Sequence, residues 1–479
     1  MHSAAPFPHT ATRGLDAELL ARFAAIVGDR YAITDPRAQE PYLVEMRDLY
    51  RGRTPMVLRP GTVDEVASIL KLANDTRTPI VPQGGNTGLV GGQIPHAGEL
   101  VLSLTRLDRI REVDPTSNAM TCEAGVVLVK AQEAAAAADR LFPLSLAAEG
   151  SCTIGGNLAT NAGGTAVLAY GNARDLTLGL EVALADGRVW HGLSKLKKDN
   201  TGYDLKNLFI GAEGTLGVIT AAVLKLYPRP RAVETAFVGL ASPADALALL
   251  GLAGERAGGS VTSFELMSRL SVEFALRHGP GCRDPLGAPH PWYVLLELSS
   301  QTPGLRGPLE ELLAAGVERG HVEDATIAAS LDQTKAFWHL RNMLSDVQRA
   351  EGGSIKHDVS VPVAAVPDFI AQASAAVEAM VPGCRPVPFG HLGDGNIHFN
   401  VSQPVGADPA AYLARWDEMS ALVNGIVARL NGSISAEHGI GFLKRDALPE
   451  VKDKVALELM RALKRTLDPN NILNPGKVL

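Results

Sequence analysis

Only four cysteines, Cys122, Cys152, Cys282 and Cys384, are spread over the 479 residues, and no two are close in sequence. That excludes a CxxC zinc ribbon and a CxxCxxC iron–sulfur run, and it suits a reducing compartment. Basic residues are not in excess either: 45 Lys and Arg against 52 Asp and Glu leave a net charge of −7. Nucleic-acid binding, which wants a cationic surface, is therefore not expected. Long apolar runs are missing. The most apolar stretch, 238–254, is interrupted by Pro243 and Asp245 and falls short of the ~20 residues that cross a bilayer. The opening MHSAAPFPHTATRG has no basic region ahead of an apolar core, so no signal peptide is expected and the chain reads as cytoplasmic. Also absent are a GxGxxG that opens a helix with an acidic residue ~20 positions on, and a GxxxxGK[ST] phosphate loop.

What is present is a chain too long for one hydrophobic core. PMVLRP (55–60) and PIVPQGG (79–85) read as strands around an amphipathic helix, 62–76, with Thr62 and Glu65 in capping-box positions. DLTLGLEVALADGRVWHG (175–192) reads as a hairpin turning at Asp186-Gly187. Prolines in LKLYPRPRAV (224–233) mark a boundary. Beyond it come alanine-rich helices, apolar strands such as WYVLLELS (292–299), and a helical end at 451–468. The class is α+β with two lobes, divided as 1–229, 230–420 and a closing segment 421–479.

Two glycine-rich segments stand out, VPQGGNTGLVGG (81–92) and EGSCTIGGNLATNAGG (149–164). Glycines let backbone N–H groups surround phosphate oxygens, and Asn86, Thr87, Ser151, Thr153, Asn157 and Thr160 add polar side chains. Two such segments favour nucleotide binding over plain tight turns. A third, FIGAEGTLGVIT (209–220), ends in an apolar strand. In PVPFGHLGDGNIHFNV (386–401) the Gly393-Asp394-Gly395-Asn396 turn would fold His391 and His398 toward each other, with Asn400 on the face of His398. GSISAEHGIG (432–441) supplies Glu437 and His438. Two imidazoles and a carboxylate suit Zn²⁺ best, then Fe²⁺ or Mn²⁺; taken alone, two such histidines also fit unrelated packing roles. Arg341 and Ser345 are spaced i, i+4 on an expected helix, and strand alternation puts Lys356, Asp358 and Ser360 on one face.

These segments, in this order and spacing, resemble the vanillyl-alcohol-oxidase-type FAD flavoproteins, and within them the D-2-hydroxyglutarate and D-lactate dehydrogenase family. The resemblance extends to the terminal LDPNNILNPGK. It implies an FAD-binding domain, a substrate (cap) domain and a small helical C-terminal part. It places FAD against Pro82, Gly84, Gly85, Asn86, Thr87 and Gly88 of the first loop. From the second segment it adds Ser151, Thr153, Gly155, Gly156, Asn157, Ala159, Thr160, Gly163 and Gly164, and further on Gly214, Gly217, Ile219 and Asn474. Some superfamily members attach flavin to a histidine in the first loop. Residues 82–92 contain none, so non-covalent FAD is implied, with Cys152 the alternative anchor.

The resemblance further implies His391, His398 and Glu437 as metal ligands. Arg341, Ser345, Lys356, Asn400 and His438 would face substrate, with His438 as general base. His357 and Asp358 are left as structural. The implied reaction oxidises a D-2-hydroxy acid, with hydride passing from C2 to flavin N5. With no haem, iron–sulfur or NAD motif, the electron acceptor is external, a quinone or an electron-transfer flavoprotein, and a homodimer is implied. D-2-Hydroxyglutarate is expected ahead of D-malate and D-lactate, because a methyl group would leave the Arg341 cation unpaired, at roughly 2–5 kcal/mol. A flavin-binding carrier without redox turnover is the reading from another class.

Overall fold

A computed structural model describes residues 15–96 and 98–479. The chain forms two compact units. A middle unit comprises Gly164–Gly171 and Pro230–Ala436, and an N/C unit comprises 15–163, Asn172–Arg229 and Glu437–Leu479. The sequence suggests a separate segment from 421. Residues 421–436 instead stay with the middle unit, where the helix Trp416–Arg429 packs on the helix Val366–Met380 and Ser433 bridges to Ser360. The remainder joins the N/C unit.

In the N/C unit a four-stranded sheet runs Ala32–Ile33, Val57–Leu58, Leu100–Ser103, Ile80–Gln83. The last three are parallel. The two strands expected at 55–60 and 79–85 are therefore not neighbours, because Leu100–Ser103 lies between them. The helix Val63–Thr76 connects them and buries Val66, Ile69, Leu70 and Ala73 against the sheet. Its start is fixed by its cap. Thr62 Oγ1 accepts the Glu65 N–H (3.1 Å), and the Glu65 carboxylate reaches back to the Gly61 N–H (2.6 Å). The far end of the chain closes this sheet. The Ile80 N–H donates to Ile472 O (2.7 Å), and Leu473 bridges in parallel to Ile80.

A second, antiparallel sheet has five strands in the order Ile110–Asp114, Ala119–Glu123, Val218–Lys225, Thr177–Ala183, Val189–Gly192. The hairpin expected at Asp186-Gly187 is present, with Gly187 at φ +85°.

The middle unit is built on one seven-stranded antiparallel sheet. Its strands, in chain order, are β1 (Ala232–Leu240), β2 (Val261–Ser268), β3 (Trp292–Ser300), β4 (Asp324–Ile327), β5 (Ser354–Ser360), β6 (Arg385–His391) and β7 (Asn396–Ser402). They lie in the order β4-β1-β3-β2-β6-β7-β5. All eight residues of β2 are buried, so both of its faces are covered. On one face Phe237, Met267, Tyr293, Leu295 and Phe389 pack with Phe274, Phe337 and Leu340 from the helices Arg269–His278 and Leu331–Met343. At roughly 1.5–3 kcal/mol per buried large side chain, this layer fixes the helix Leu331–Met343 on the sheet.

Candidate active site

The two glycine-rich segments of the N/C unit lie directly against each other. A Cβ on Gly84 would collide with Thr153 Oγ1, one on Gly85 with the Ser151 carbonyl oxygen, and one on Gly155 would stand 2.6 Å from Ala124 Cβ. These glycines are required first for close packing, Gly85 against backbone and Gly84 and Gly155 against neighbouring side chains, a reason the sequence does not reveal. Thr153 caps the short helix Ile154–Ala159, accepting from Gly156 N at 3.4 Å, and Thr160 Oγ1 donates to Gly156 O. Ser151 is exposed and donates to Ala148 O, and Asn157 is buried. Thr87 and Gly88 are half-buried, and a Cβ on Gly88 would meet the Gln93 amide at 2.7 Å. Gly214, at φ +71°, faces Pro82, while Gly217 packs against Val182 and Phe209 beside the buried Ile219.

Three ties hold this region together. Asn86 donates both amide hydrogens to Pro41 O and Val44 O. Asn474 does the same to Gly92 O and Glu213 O, both at 2.9 Å. Glu213, whose N–H donates to Ala159 O, accepts the N–H groups of Ile440 (2.7 Å) and Gly441 (2.8 Å). Burial pushes the Glu213 carboxyl up to about 7, although those two N–H groups oppose it. Glu213 was not singled out in the sequence, yet it joins GAEG to the loop carrying Glu437 and His438. A Cβ on Gly163 would come within 2.8 Å of Glu437 Oε1, and one on Gly439 within 2.7 Å of Glu213 Oε1. Among the described residues, Gln83 Oε1, Asn86 Oδ1 and Asn474 Oδ1 are buried without a hydrogen-bond partner. Acceptors left open along glycine-lined backbone fit a nucleotide cofactor with hydroxyl and ring N–H donors.

In the middle unit, β6 and β7 form the expected hairpin, turning at Leu392–Gly395 with Gly395 at φ +80°. A Cβ on Gly395 would collide with the Val361 carbonyl oxygen. The register pairs His391 with Asn396 and His398 with Phe389, so the histidines are diagonal rather than direct neighbours. Their ring centroids are 5.6 Å apart, and each offers a ring nitrogen within 4.8 Å of the other. Asp358, expected to be structural only, faces His398 in register, its Oδ1 3.6 Å from His398 Nδ1. The Ala436 N–H donates to Asp358 O (3.3 Å), and Glu437 is the next residue, one 3.8 Å Cα step along the chain. His357 points away and bonds Phe399 O.

Behind His391 lies Glu265, which belongs to none of the motifs of the sequence. Glu265 is opposite His391 in the β2–β6 register. Its Oε1 is 2.7 Å from His391 Nδ1, and its Oε2 accepts from Arg341 Nε (2.7 Å) and Nη2 (2.6 Å). Burial alone would push the Glu265 carboxyl up, but the charges and hydrogen bonds of Arg341 and His391 hold it at about 2. The expectation that Arg341 is an unpaired cation awaiting a second carboxylate is therefore corrected: a protein carboxylate already neutralises it. The signal was a lone acidic residue inside the apolar strand TSFELM.

The remaining substrate candidates are placed differently from expectation. The helix ends at Met343, so Ser345 is not on a helix face with Arg341; it lies in the exposed turn beyond. Ser345 and Lys356 do meet, Lys356 Nζ donating to Ser345 O at 3.3 Å. Asn400 is opposite Lys356 in the β5–β7 register, and its Nδ2 is committed to Gln348 Oε1 at 3.0 Å.

A nucleotide cradle in one unit, and paired histidines backed by an arginine–glutamate bridge in the other, are the equipment of a flavin-dependent oxidoreductase. Residues 229–478 match the family described as FAD linked oxidases, C-terminal domain, and residues 54–192 that described as FAD binding domain. The chain belongs to the FAD-linked oxidases, as the sequence resemblance implies. It is 39% identical to the mitochondrial D-2-hydroxyglutarate dehydrogenase of Bos taurus, covering 96% of this chain and 83% of that one. It is 37% identical to a D-2-hydroxyglutarate dehydrogenase of Xanthomonas citri pv. viticola, covering 93% of each. Among solved structures, p-cresol methylhydroxylase with substrate bound superposes with a TM-score of 0.78 at 17% identity, covering 98% and 97% of the two chains. A 4-ethylphenol oxidase from Gulosibacter chungangensis gives 0.72 at 19% identity, covering 97% and 98%. The vanillyl-alcohol-oxidase-type α+β fold expected from the sequence is thus the fold of this chain.

Proposed function

We propose that the protein oxidises a D-2-hydroxy acid, D-2-hydroxyglutarate ahead of D-malate and D-lactate, to the corresponding 2-oxo acid. The observation that carries this reading is the Glu265-backed grouping of Arg341, from the helix Leu331–Met343, with His391 of the His391/His398 hairpin. The relatives named D-2-hydroxyglutarate dehydrogenase support the substrate class. FAD is held non-covalently by the glycine segments; burial pushes the Cys152 thiol up to about 11, away from the nucleophilic thiolate. His391, His398 and Glu437 hold a divalent metal, Zn²⁺ foremost.

Bound FAD supplies two-electron acceptance, and the bound metal supplies Lewis acidity toward the hydroxyl and carboxylate oxygens. Arg341 presents its guanidinium N–H groups in one fixed orientation because Glu265 grips the other edge. Lys356 brings the cation that a distal carboxylate needs, and His438 takes the hydroxyl proton as general base. Electrons leave to an external acceptor, a quinone or an electron-transfer flavoprotein. A homodimer in the cytoplasm completes the reading.

Anaerobic reduction of the flavin by D- and L-2-hydroxy acids, followed by kcat/KM measurements, tests it. D-2-Hydroxyglutarate is expected first. Lys356→Met is expected to cut its advantage over D-lactate by on the order of 10-fold or more, the scale of one charge-assisted hydrogen bond. A wild type that prefers D-lactate, or an L-acid, overturns the substrate assignment.

A further inference from the structure

Two glutamates, one buried and one half-buried, occupy neighbouring strands beneath the helix Leu331–Met343, and they are used differently. Glu297 of β3 accepts from Trp338 Nε1 (2.8 Å) and Thr235 Oγ1 (3.2 Å), both neutral donors. Trp338 belongs to the helix, so this contact already docks the helix on the sheet. Glu265 of β2 meets Arg341, three residues further along the same helix, and with its other oxygen meets His391 on β6. Docking alone does not call for that second connection. The oxygens are divided cleanly: Oε1 for the imidazole, Oε2 for the guanidinium. The β2–β6 register sets Glu265 and His391 side by side, and both are buried, at 1% and 6% exposure. The Arg341 Nη2 to His391 Nδ1 separation is 3.4 Å, too long to compete with the 2.7 Å carboxylate contact.

We propose that Glu265 is a positioning residue: its carboxylate keeps the His391 proton on Nδ1, so that Nε2 is the nitrogen carrying the lone pair, and with its second oxygen clamps Arg341. A carboxylate that accepts from one imidazole nitrogen orients the ring and raises the basicity of the other, and such partners typically change metal affinity by about 10–100-fold. The same anion neutralises Arg341, so that arginine contributes aimed N–H groups rather than net positive charge. One buried residue thereby couples the orientation of a metal ligand to that of a substrate-facing guanidinium. The inference rests on the proposed metal role of His391, but its first readout needs no metal.

The test uses full-length protein labelled with ¹⁵N-histidine and freed of divalent ions, at about pH 8, where an unperturbed imidazole is neutral. The His391 signals are identified by their loss in His391→Gln. Wild type is expected to carry its proton on Nδ1. The variant Glu265→Met can leave Arg341 buried and unpaired and fail to fold. The double variant Glu265→Met/Arg341→Met removes both charges together and keeps the core apolar. In the double variant the Nδ1-protonated form is expected to give way to a mixture, and Zn²⁺ affinity to fall about 10–100-fold. Glu265→Gln, which keeps an acceptor but no charge, is expected to retain the Nδ1 proton and lose affinity by about 10-fold. If the double variant keeps both the Nδ1 proton and wild-type Zn²⁺ affinity, the positioning role is overturned. If the tautomer follows Glu265 but the wild type holds no Zn²⁺, positioning stands and the metal assignment of His391 fails.

Discussion

Glu265 is fully buried and Glu297 half-buried, yet their protonation is pushed in opposite directions, because one faces charged partners and the other does not. Burial pushes the Glu297 carboxyl up, and Trp338 and Thr235 only partly oppose it. Removing Arg341 leaves Glu265 as a buried anion with its imidazole contact alone. Arg341→Ala is expected to lower stability by about 3–5 kcal/mol in urea titrations, the cost of breaking a buried pair from one side. Glu297→Gln keeps the shape and an acceptor for the indole, and a change within about 1 kcal/mol is expected. Equal losses for the two would contradict this account. The sequence marks Glu265 only as an acidic residue in an apolar strand; its cross-strand partner is not legible there. The histidines of the hairpin were legible because the turn chemistry lay beside them.

Among elements, the hairpin and the helix 62–76 follow from local signals, a glycine-rich turn and a threonine cap, and the structure agrees with both. The i, i+4 spacing of Arg341 and Ser345 implies a half-turn of helix that the chain does not make past Met343. The order of the parallel strands was hidden too, since nothing local shows that Leu100–Ser103 enters between its predecessors. At the hairpin, Gly395→Ala must force a side chain into the left-handed region and against the Val361 carbonyl. A loss on the order of 2 kcal/mol or more is expected, with turnover falling further as the two imidazoles lose alignment. Thermal melts and kcat/KM together check it.

Elsewhere in the middle unit, Glu351 ties three elements together through Arg385 (2.6 Å), Arg277 (2.5 Å) and His278 (2.7 Å). Burial pushes its carboxyl up, but the Arg385, His278 and Arg277 hydrogen bonds outweigh that and hold it at about 2. Its contribution is therefore complete above the ordinary carboxylate range and is lost as pH falls through about 2. Glu351→Gln is expected to be less stable than wild type by roughly 1–3 kcal/mol at pH 7, and the gap should close on acidification. A gap independent of pH down to 2 would rule the ion cluster out as its source.

For the molecule as a whole, the cofactor's attachment is the first property to establish. Acid precipitation is expected to release the yellow chromophore into the supernatant. Colour kept in the pellet would point to Cys152 despite its buried thiol. The cradle for that cofactor is assembled from residues far apart in the chain: the loop after Ile80–Gln83 is closed by Ile472, Leu473 and Asn474. Synthesis runs from one to the other across nearly four hundred residues. At roughly 5–20 residues per second, this separates them by roughly 20–80 s on the ribosome. Throughout that interval the sheet lacks its last partner and the first loop lacks its asparagine tie. The cradle is thus complete only once the last residues of the chain are made, and a chain whose first loop is still untied precedes every finished molecule.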